Sequence, residues 1–141
     1  MRNLTNSNVR TKGKKQLAKV FRDCRFIDAL TLHEQKPTQP DDFIFYYNKA
    51  RDGSVGNYII YEVISSNASY RSDDRVIGRE FFAQVDVFSI KSFESKLVRD
   101  TLEKLEAKLT AAGFEVDAGS EDYESDTRLY HQVLYASKFF F

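Results

Sequence analysis

The stretch from Val76 to Gly113, VIGREFFAQVDVFSIKSFESKLVRDTLEKLEAKLTAAG, contains two hydrophobic periodicities in succession. In its first half, apolar residues alternate with more varied ones, as they do along a strand with one face in a core. The sequence therefore predicts a long strand over Val76–Ile90. Its uniformly apolar positions, which we expect on the core face, are Phe81, Ala83, Val85 and Val87.

The second half of this stretch has apolar residues at spacings of three and four, which predicts one long amphipathic helix. We expect Ser92 to be the N-cap and Glu94 to lie in the first turn, near the positive helix end. Gly113 stands where a left-handed residue would end the helix. The apolar stripe consists of Leu97, Val98, Leu102, Leu105, Leu109 and Ala112.

A β-hairpin is predicted after this helix. Phe114–Asp117 begins one strand, the acidic stretch Ala118–Asp126 is expected to form the turn, and Thr127–Lys138 is the returning strand. One face of the returning strand carries Leu129, His131, Val133 and Tyr135, and the other carries Tyr130, Gln132, Leu134 and Ala136. Neither face is wholly polar, so we expect this strand to be covered on both sides, by helices or by a neighbouring subunit.

The residues before Val76 supply the other predicted elements. Residues 14–29 have one apolar helical face, and Pro37 and Pro40 then break the chain. Phe43–Tyr47 and Asn57–Ser65 are predicted strands. The residues between them, with Asp52–Gly53, are rich in turn formers, and residues 66–75 are expected to be a polar loop.

The fold predicted from these elements is α+β, with a mostly antiparallel sheet of four to five strands. An N-terminal helix and one long amphipathic helix are expected to pack on this sheet. The chain has 141 residues, of which 42% are hydrophobic and 30% charged. This size and composition suit a single globular domain over residues 1–141, with residues 1–12 expected to be flexible.

Composition also narrows the cellular setting. The single cysteine, Cys24, cannot form an internal disulfide, which favours an intracellular or virion-assembled protein over a small extracellular one. No apolar run approaches the roughly 20 residues that span a bilayer, and the N-terminus lacks the apolar core of a signal peptide. We therefore expect no membrane association.

The charges are unevenly placed although the net charge is zero. Residues 1–25 carry eight of the 21 basic residues and one of the 21 acidic residues, Asp23. The remainder is therefore acidic. A basic N-terminal segment suits nucleic acid, and it equally suits contact with an acidic surface of another copy of the chain. The sequence leaves both alternatives open.

No catalytic, metal or cofactor site is predicted. His33, His131 and Cys24 could supply soft metal ligands, but they lack the short spacings of metal motifs. The acidic residues of 121–126 lack the ligand order and the glycine of a calcium loop. We therefore expect a protein that is not an enzyme and binds no cofactor.

The apolar content exceeds what a small monomer needs. The chain has three consecutive aromatic residues at 139–141, which either close its own core or dock on a partner. Long polar loops are also expected beside strands that look too apolar for an isolated subunit.

Five segments of the sequence together resemble the tail terminator, or head–tail joining, proteins of long-tailed bacteriophages. They are Tyr58–Glu62, Phe82–Ser89, the helix from Phe93, Ala112–Phe114, and Leu129–Tyr135, within residues 57–138. Residues 31–56 depart from the family pattern, since the first strand comes later and the Phe43–Tyr47 segment is additional.

The resemblance implies a non-enzymatic structural protein that forms a ring, commonly a hexamer, at the end of the tail tube. Such a ring stops tube growth and joins the tail to the head. The implied partners are other copies of the chain, the tail-tube protein and a head-completion or connector protein. DNA would pass through the ring without specific binding. The implied location is the virion, at the head–tail junction, after assembly in the host cytoplasm.

A ring of identical head-to-tail contacts needs two different complementary patches on each subunit. The basic segment 10–25 and the acidic segment 115–126 are candidates for such a pair. The alternative is a small nucleic-acid-binding module that uses the basic N-terminal helix. The candidate interface residues are Lys14, Lys15, Lys19, Arg22, Asp73, Asp74, Glu121, Asp122, Glu124, Phe139, Phe140 and Phe141.

Overall fold

The computed structural model of the chain describes residues 4–32, 34, 41–50 and 56–141. The predicted α+β class is confirmed. Its elements are the helices α1 (Asn6–Asp23) and α2 (Lys96–Ala111), a short 3-10 helix (Ala29–Thr31), and the strands β1 (Ile27–Asp28), β2 (Ile44–Tyr47), β3 (Tyr58–Ser72), β4 (Arg75–Ser89), β5 (Glu115–Glu124) and β6 (Leu129–Phe140). The predictions for His33, Pro37, Pro40 and Asp52–Gly53 lie outside the described residues.

The strands form one six-stranded mixed sheet in the order β1-β2-β3-β4-β6-β5. β1 pairs parallel to β2 and β2 parallel to β3, whereas the remaining pairs are antiparallel. The prediction of four to five mostly antiparallel strands is therefore correct for the larger part of the sheet and wrong at its parallel edge. A strand of only two residues leaves no periodic signal in the sequence, which is why β1 is missed.

Helix α1 begins and ends earlier than predicted. Thr5 is its N-cap and accepts a hydrogen bond from the backbone N–H of Asn8, so the helix includes residues 6–12. At the other end, Arg25 adopts a left-handed conformation with φ of 64°. The N–H of Phe26 then donates to the carbonyl of Phe21, which completes a Schellman motif. The chain turns here, and the next residues join the sheet as β1 instead of continuing the helix.

Helix α2 ends as predicted but begins later. Its N-cap is Ser95, whose hydroxyl accepts from the N–H of Val98, whereas the predicted cap, Ser92, forms a local turn with Glu94. Gly113 has φ of 91° and ends the helix in the same motif that ends α1. The described helices include none that is long and apolar enough to cross a membrane.

Both helices pack on the same face of the sheet, which we call the core face. The predicted core positions of β4 are confirmed, since Phe81, Ala83, Val85 and Val87 are all buried. A Cβ atom on Gly13 of α1 would clash with the ring of Phe81. Glycine at this position therefore allows the helix backbone to lie directly on that ring.

The prediction of a polar loop over residues 66–75 is wrong, because β3 and β4 continue through these residues and form a long hairpin arm. The turn is formed by Asp73 and Asp74, both with positive φ, 49° and 61°. Two left-handed residues in succession make the tight turn whose twist matches that of a hairpin. Arg79 ties the base of the arm to the start of the chain, since its guanidinium donates to the carbonyls of Leu4 and Ser66.

The hairpin of β5 and β6 also has a shorter turn than predicted. The acidic stretch predicted as a turn continues as strand to Glu124, and its register shifts between Ala118 and Glu121. This irregularity lies on the edge strand of the sheet, where bulges commonly interrupt pairing.

Candidate functional site

Neither described helix packs on the second face of the sheet, which we call the open face. The strand register gives its members, because residues paired across neighbouring strands share a face. They are Ile27 on β1; Ile44 and Tyr46 on β2; Tyr58, Ile60, Glu62, Ser65 and Asn67 on β3; Glu80, Phe82, Gln84, Asp86 and Phe88 on β4; Leu129, His131, Val133, Tyr135, Ser137 and Phe139 on β6; and Glu115, Asp117, Asp122 and Glu124 on β5. Four of these apolar residues are buried by their neighbours, namely Ile27, Phe88, Leu129 and Val133.

Three aromatic rings form a stack across the middle of the open face. Tyr58 lies on Phe88 with ring centroids 4.6 Å apart and an interplanar angle of 17°. Phe88 in turn lies on His131, at 4.2 Å and 13°. The three residues sit at the same level of β3, β4 and β6. Such cross-strand aromatic pairs order a sheet surface without a helix above it.

The imidazole of His131 lies between two carboxylates. Its Nε2 is 2.8 Å from Oδ1 of Asp86, and its Nδ1 is 3.4 Å from Oε2 of Glu124. The side-chain amide of Gln84 donates to both oxygens of Asp86, at 3.2 and 3.1 Å. The ring, the acids and the amide are therefore held in one orientation.

Tyr58 belongs to the same cluster. Burial raises the pKa of its hydroxyl, and the nearby carboxylate of Glu124 raises this pKa further. The phenol therefore stays protonated at neutral pH and can donate a hydrogen bond to a group placed on this face.

A second aromatic pair lies farther along the open face. Phe82 and Tyr135 stack at 5.7 Å with an angle of 20°. A Cβ atom on Gly119 of the edge strand would lie 3.0 Å from the Tyr135 ring, so glycine leaves room for that ring to lie flat. The open face thus carries aromatic rings at two places along its strands.

All charged residues of the open face are carboxylates, apart from the titratable His131. They come from β3, β4 and β5, and the strand positions that define this face include no lysine or arginine. The acids are Glu62, Glu80, Asp86, Glu115, Asp117, Asp122 and Glu124. The face therefore combines aromatic surface with negative charge.

The outer surface of α1 has the opposite charge. Lys12, Lys15, Lys19 and Arg22 recur at spacings of three and four, so they form one stripe along the helix, and all four are exposed. We call this the basic stripe. It lies on the far side of the helix layer from the open face.

Two members of the basic stripe have acidic neighbours. Lys19 lies 2.8 Å from Asp23, one helical turn away, and this hydrogen bond holds the pKa of the Asp23 carboxyl below its usual range. Arg22 lies 3.4 Å from Asp28. These ion pairs are at least partly exposed to solvent, so each contributes little to stability.

The predicted interface residues divide among several places. Lys15, Lys19 and Arg22 belong to the basic stripe, whereas Lys14 turns toward the sheet and places Nζ 3.6 Å from the centroid of the Tyr47 ring. Asp73 and Asp74 form the tip of the hairpin arm, away from the other predicted acids.

The sequence predicted that the acids at 121, 122 and 124 lie in the turn of a hairpin, and this prediction is wrong. They lie on β5, with Asp122 and Glu124 on the open face. Glu121 pairs with Gln132 and so belongs to the opposite face.

The three consecutive phenylalanines have different surroundings. Phe140 is buried against Phe81 and so helps to close the core. Phe139 and Phe141 are 44% and 76% exposed, and they cluster with Tyr70 of the hairpin arm, which is 50% exposed. Phe140 therefore closes the chain's own core, whereas docking of Phe139 and Phe141 on a partner stays a prediction.

A half-open cleft of about 530 Å³ lies between α1 and β2. It is lined by the cations of Lys14, Arg22 and Lys49 and by three tyrosines, 46, 47 and 61. The sequence did not indicate this cleft, because its walls come from segments that are far apart along the chain.

The described residues contain no group of three or more metal-ligating side chains. Within the same residues, no buried side-chain nitrogen or oxygen lacks a hydrogen-bond partner. Cys24 is buried, and this burial raises the pKa of its thiol, which leaves little of the nucleophilic thiolate at neutral pH. His33, the other predicted candidate for metal binding, lies outside the described residues.

No protein-family model matches the sequence, and a comparison with curated proteins finds no significant relative. The resemblance to tail terminators therefore stays a prediction from the sequence.

Proposed function

We propose that this chain is a non-enzymatic structural protein of a bacteriophage virion, similar to tail terminators. It forms a homo-oligomeric ring, expected to be a hexamer, at the head–tail junction. There it stops growth of the tail tube and joins the tail to the head. Its partners are further copies of itself, the tail-tube protein and a head-completion or connector protein, and DNA passes through the ring without specific binding.

The observation that carries this proposal is the open face. One face of the sheet is covered by α1 and α2, while the other presents the Tyr58–Phe88–His131 stack and the Phe82–Tyr135 pair without either helix above them. Contiguous apolar surface with a polar surround is typical of protein contact sites. The exposed cluster around Tyr70 extends the aromatic surface toward the hairpin arm.

The proposal is tested by native mass spectrometry and negative-stain electron microscopy of the full chain. The chain is examined alone over a range of concentrations, and then with the tail-tube protein encoded by the same genome. We expect a closed ring in at least the second sample. A chain that stays monomeric in both samples would contradict the proposal.

A matched pair of variants locates the contact. Phe82→Lys places a positive charge on the open face, and Leu97→Lys places the same charge on α2, where Leu97 is 43% exposed. We expect the first variant to lose the ring and the second to keep it, with circular dichroism showing that both remain folded. If the two variants behave alike, the open face does not form the contact between copies.

The basic stripe favours a second candidate function, a nucleic-acid-binding module. Four exposed cations in a row along one helix suit a line of phosphates. Fluorescence anisotropy with a short duplex DNA would test this function. Affinity that falls steeply with salt and is lost in Lys12→Gln/Lys15→Gln/Lys19→Gln would support it, whereas no binding at low salt would end it.

A further inference from the structure

We infer that the basic stripe of α1 in one copy docks on the open face of the next copy. This inference rests on the proposed self-assembly and names the two surfaces that form the contact. The stripe consists of Lys12, Lys15, Lys19 and Arg22. It lies on the outer side of the helix layer, whereas the open face is the opposite side of the same sheet.

Charge complementarity selects the occupant of the open face. The strand positions that define this face include carboxylates and no lysine or arginine. The described part of α1 carries six basic residues and one acid, Asp23, within Asn6–Asp23. By contrast, the exposed side of α2 mixes both signs, with Lys96 next to Asp100 and Lys104 next to Glu103. The surface with the strongest opposite charge to the open face is therefore the basic stripe.

The same charges disfavour the simplest symmetric alternative. A two-fold dimer through the open faces would bring acidic residues such as Asp117 and Asp122 of one copy near the equivalent acids of its partner. Like charges brought together in an interface cost several kcal/mol, so such pairing is opposed. Contact between two different surfaces avoids this repulsion, and it is by definition heterologous.

A heterologous contact also has the form that a ring requires. Each copy contacts one neighbour through its helix layer and the other neighbour through its open face. A row of copies therefore keeps an unused helix layer at one end and an unused open face at the other. The chain of contacts then either closes into a ring or continues as a filament, depending on the rotation between copies.

The chemistry of the two surfaces suits close contact. Lysine side chains cover aromatic rings with their aliphatic stems and place the ammonium group over the ring face. The molecule already contains such contacts, the shortest of the described ones being between Lys14 and Tyr47. On the open face, the half-buried rings of Tyr58 and Phe82 offer the same kind of acceptor, and the carboxylates of Asp86 and Glu124 lie beside the Tyr58–Phe88–His131 stack.

Charge reversal on each surface separately tests the inference. One variant carries Lys12→Glu/Lys15→Glu/Lys19→Glu. The other carries Glu115→Lys/Asp117→Lys/Asp122→Lys, at exposed positions of the open face. The matched control, Arg99→Glu/Lys104→Glu/Lys108→Glu, makes the same change of charge on exposed positions of α2.

The measurements are sedimentation and native mass spectrometry of the full chain at low salt, and we expect the following results. The wild type self-associates, and its association weakens as salt is added. Each reversed variant alone associates at least about tenfold more weakly, because each brings like charges together. An equimolar mixture of the two recovers assembly in which the two masses alternate. The control behaves as the wild type does.

Three outcomes would overturn the inference. If the wild type assembles and the stripe reversal leaves it unchanged, another surface makes the contact, while the ring proposal stands. If reversal of the stripe abolishes DNA binding but not assembly, the stripe serves nucleic acid instead. If the wild type alone stays monomeric at every salt and concentration, the variants are compared in the sample with the tail-tube protein, and a ring there that tolerates the stripe reversal overturns the inference while the ring proposal stands.

Discussion

Phe81 and Phe82 are neighbours on β4, and they lie on opposite faces of the sheet. The side chain of Phe81 is fully buried, with the rings of Phe114 and Phe140 and the backbone of Gly13 around it. Phe82 is half-buried, and its ring contact is the stack with Tyr135. The core face is completed by the chain's own helices, whereas the order of the open face comes from pairs between neighbouring strands.

The two faces should therefore contribute to different properties, the core face to the stability of the fold and the open face to contact with partners. A side chain enclosed by two layers contributes most to folding, because its whole apolar surface leaves water. A half-buried side chain on the open face, such as Phe82, contributes less to folding and keeps apolar surface that a partner can cover. Substitutions that compare the two faces should therefore affect different measurements.

The largest expected effect is that of Phe81→Ala. Removing a fully buried phenylalanine should lower the free energy of unfolding by about 3–5 kcal/mol, because a cavity is left under α1. Phe82→Ala should cost no more than about 1 kcal/mol, in line with the loss of one cross-strand pair. Urea denaturation of both variants measures the difference. Equal losses would show that the open face is packed as tightly as the core.

Gly13→Ala should have the next largest effect. Alanine favours a helix over glycine by about 1 kcal/mol, but here its methyl group would meet the Phe81 ring. Overpacking of this kind costs about 1–3 kcal/mol, so we expect a net loss of stability. Lys12→Ala, one residue earlier on the exposed side, is the control and should leave the melting temperature nearly unchanged.

A double-mutant cycle sharpens this test. Combining Gly13→Ala with Phe81→Leu should cost less than the sum of the two single changes, because the smaller side chain leaves space for the methyl group. Strictly additive effects would mean that the helix moves away from the sheet and that the ring contact is not the cause.

The sequence predicted the core face better than the open face. Alternation along residues 81–87 identifies the buried side of β4, because period-two patterns follow directly from strand geometry. The same pattern on β6 left open whether helices or another subunit cover its second side. Which helix covers which face depends on contacts between distant segments, such as Gly13 against Phe81, and these leave no local signal.

The errors of the sequence prediction have local physical causes. Residues 66–75 are polar, so they were predicted as a loop, but strand pairing tolerates polar residues where both sides of a hairpin arm are exposed. Arg25 adopts a conformation more typical of glycine, so the end of α1 had no recognisable signal. The acids of β5 were predicted at a turn, although a solvent-exposed edge strand carries acids equally well.

The candidate interface was predicted only in part. The basic segment and the acidic segment were both identified from charge. The aromatic stack of Tyr58, Phe88 and His131 was not, because its members are distant in sequence and meet only through the registers of two strand pairs.

A smaller effect is expected at high pH, where tyrosines of the two faces can be compared. Burial raises the pKa of both Tyr58 and Tyr61. A pKa raised in the folded state gives stability that is fully present below the unfolded value, about 10, and is lost as pH rises through the folded value. The melting temperature should therefore fall on going to alkaline pH.

Phenylalanine variants separate the two tyrosines. Tyr61→Phe and Tyr58→Phe should each reduce the alkaline fall in melting temperature, because each removes one phenol that must stay protonated in the folded chain. The effect should be larger for Tyr61, which is only 6% exposed and faces the core. Ultraviolet absorbance of the phenolates follows the titration directly, and a fall that neither variant alters would assign it to other groups.

The smallest effect on folding is expected within the aromatic cluster beside the open face. Phe141→Ser removes a side chain that is 76% exposed, so the free energy of unfolding should change by no more than about 0.5 kcal/mol. Phe140→Ser, one residue earlier, exposes the core and serves as the contrast. If the cluster around Tyr70 contributes to contact with partners, Phe141→Ser should weaken assembly while leaving the urea midpoint in place. A shift of the midpoint equal to that of Phe140→Ser would instead show that the cluster is part of the folded core. The open face would then extend along β6 only as far as Ser137.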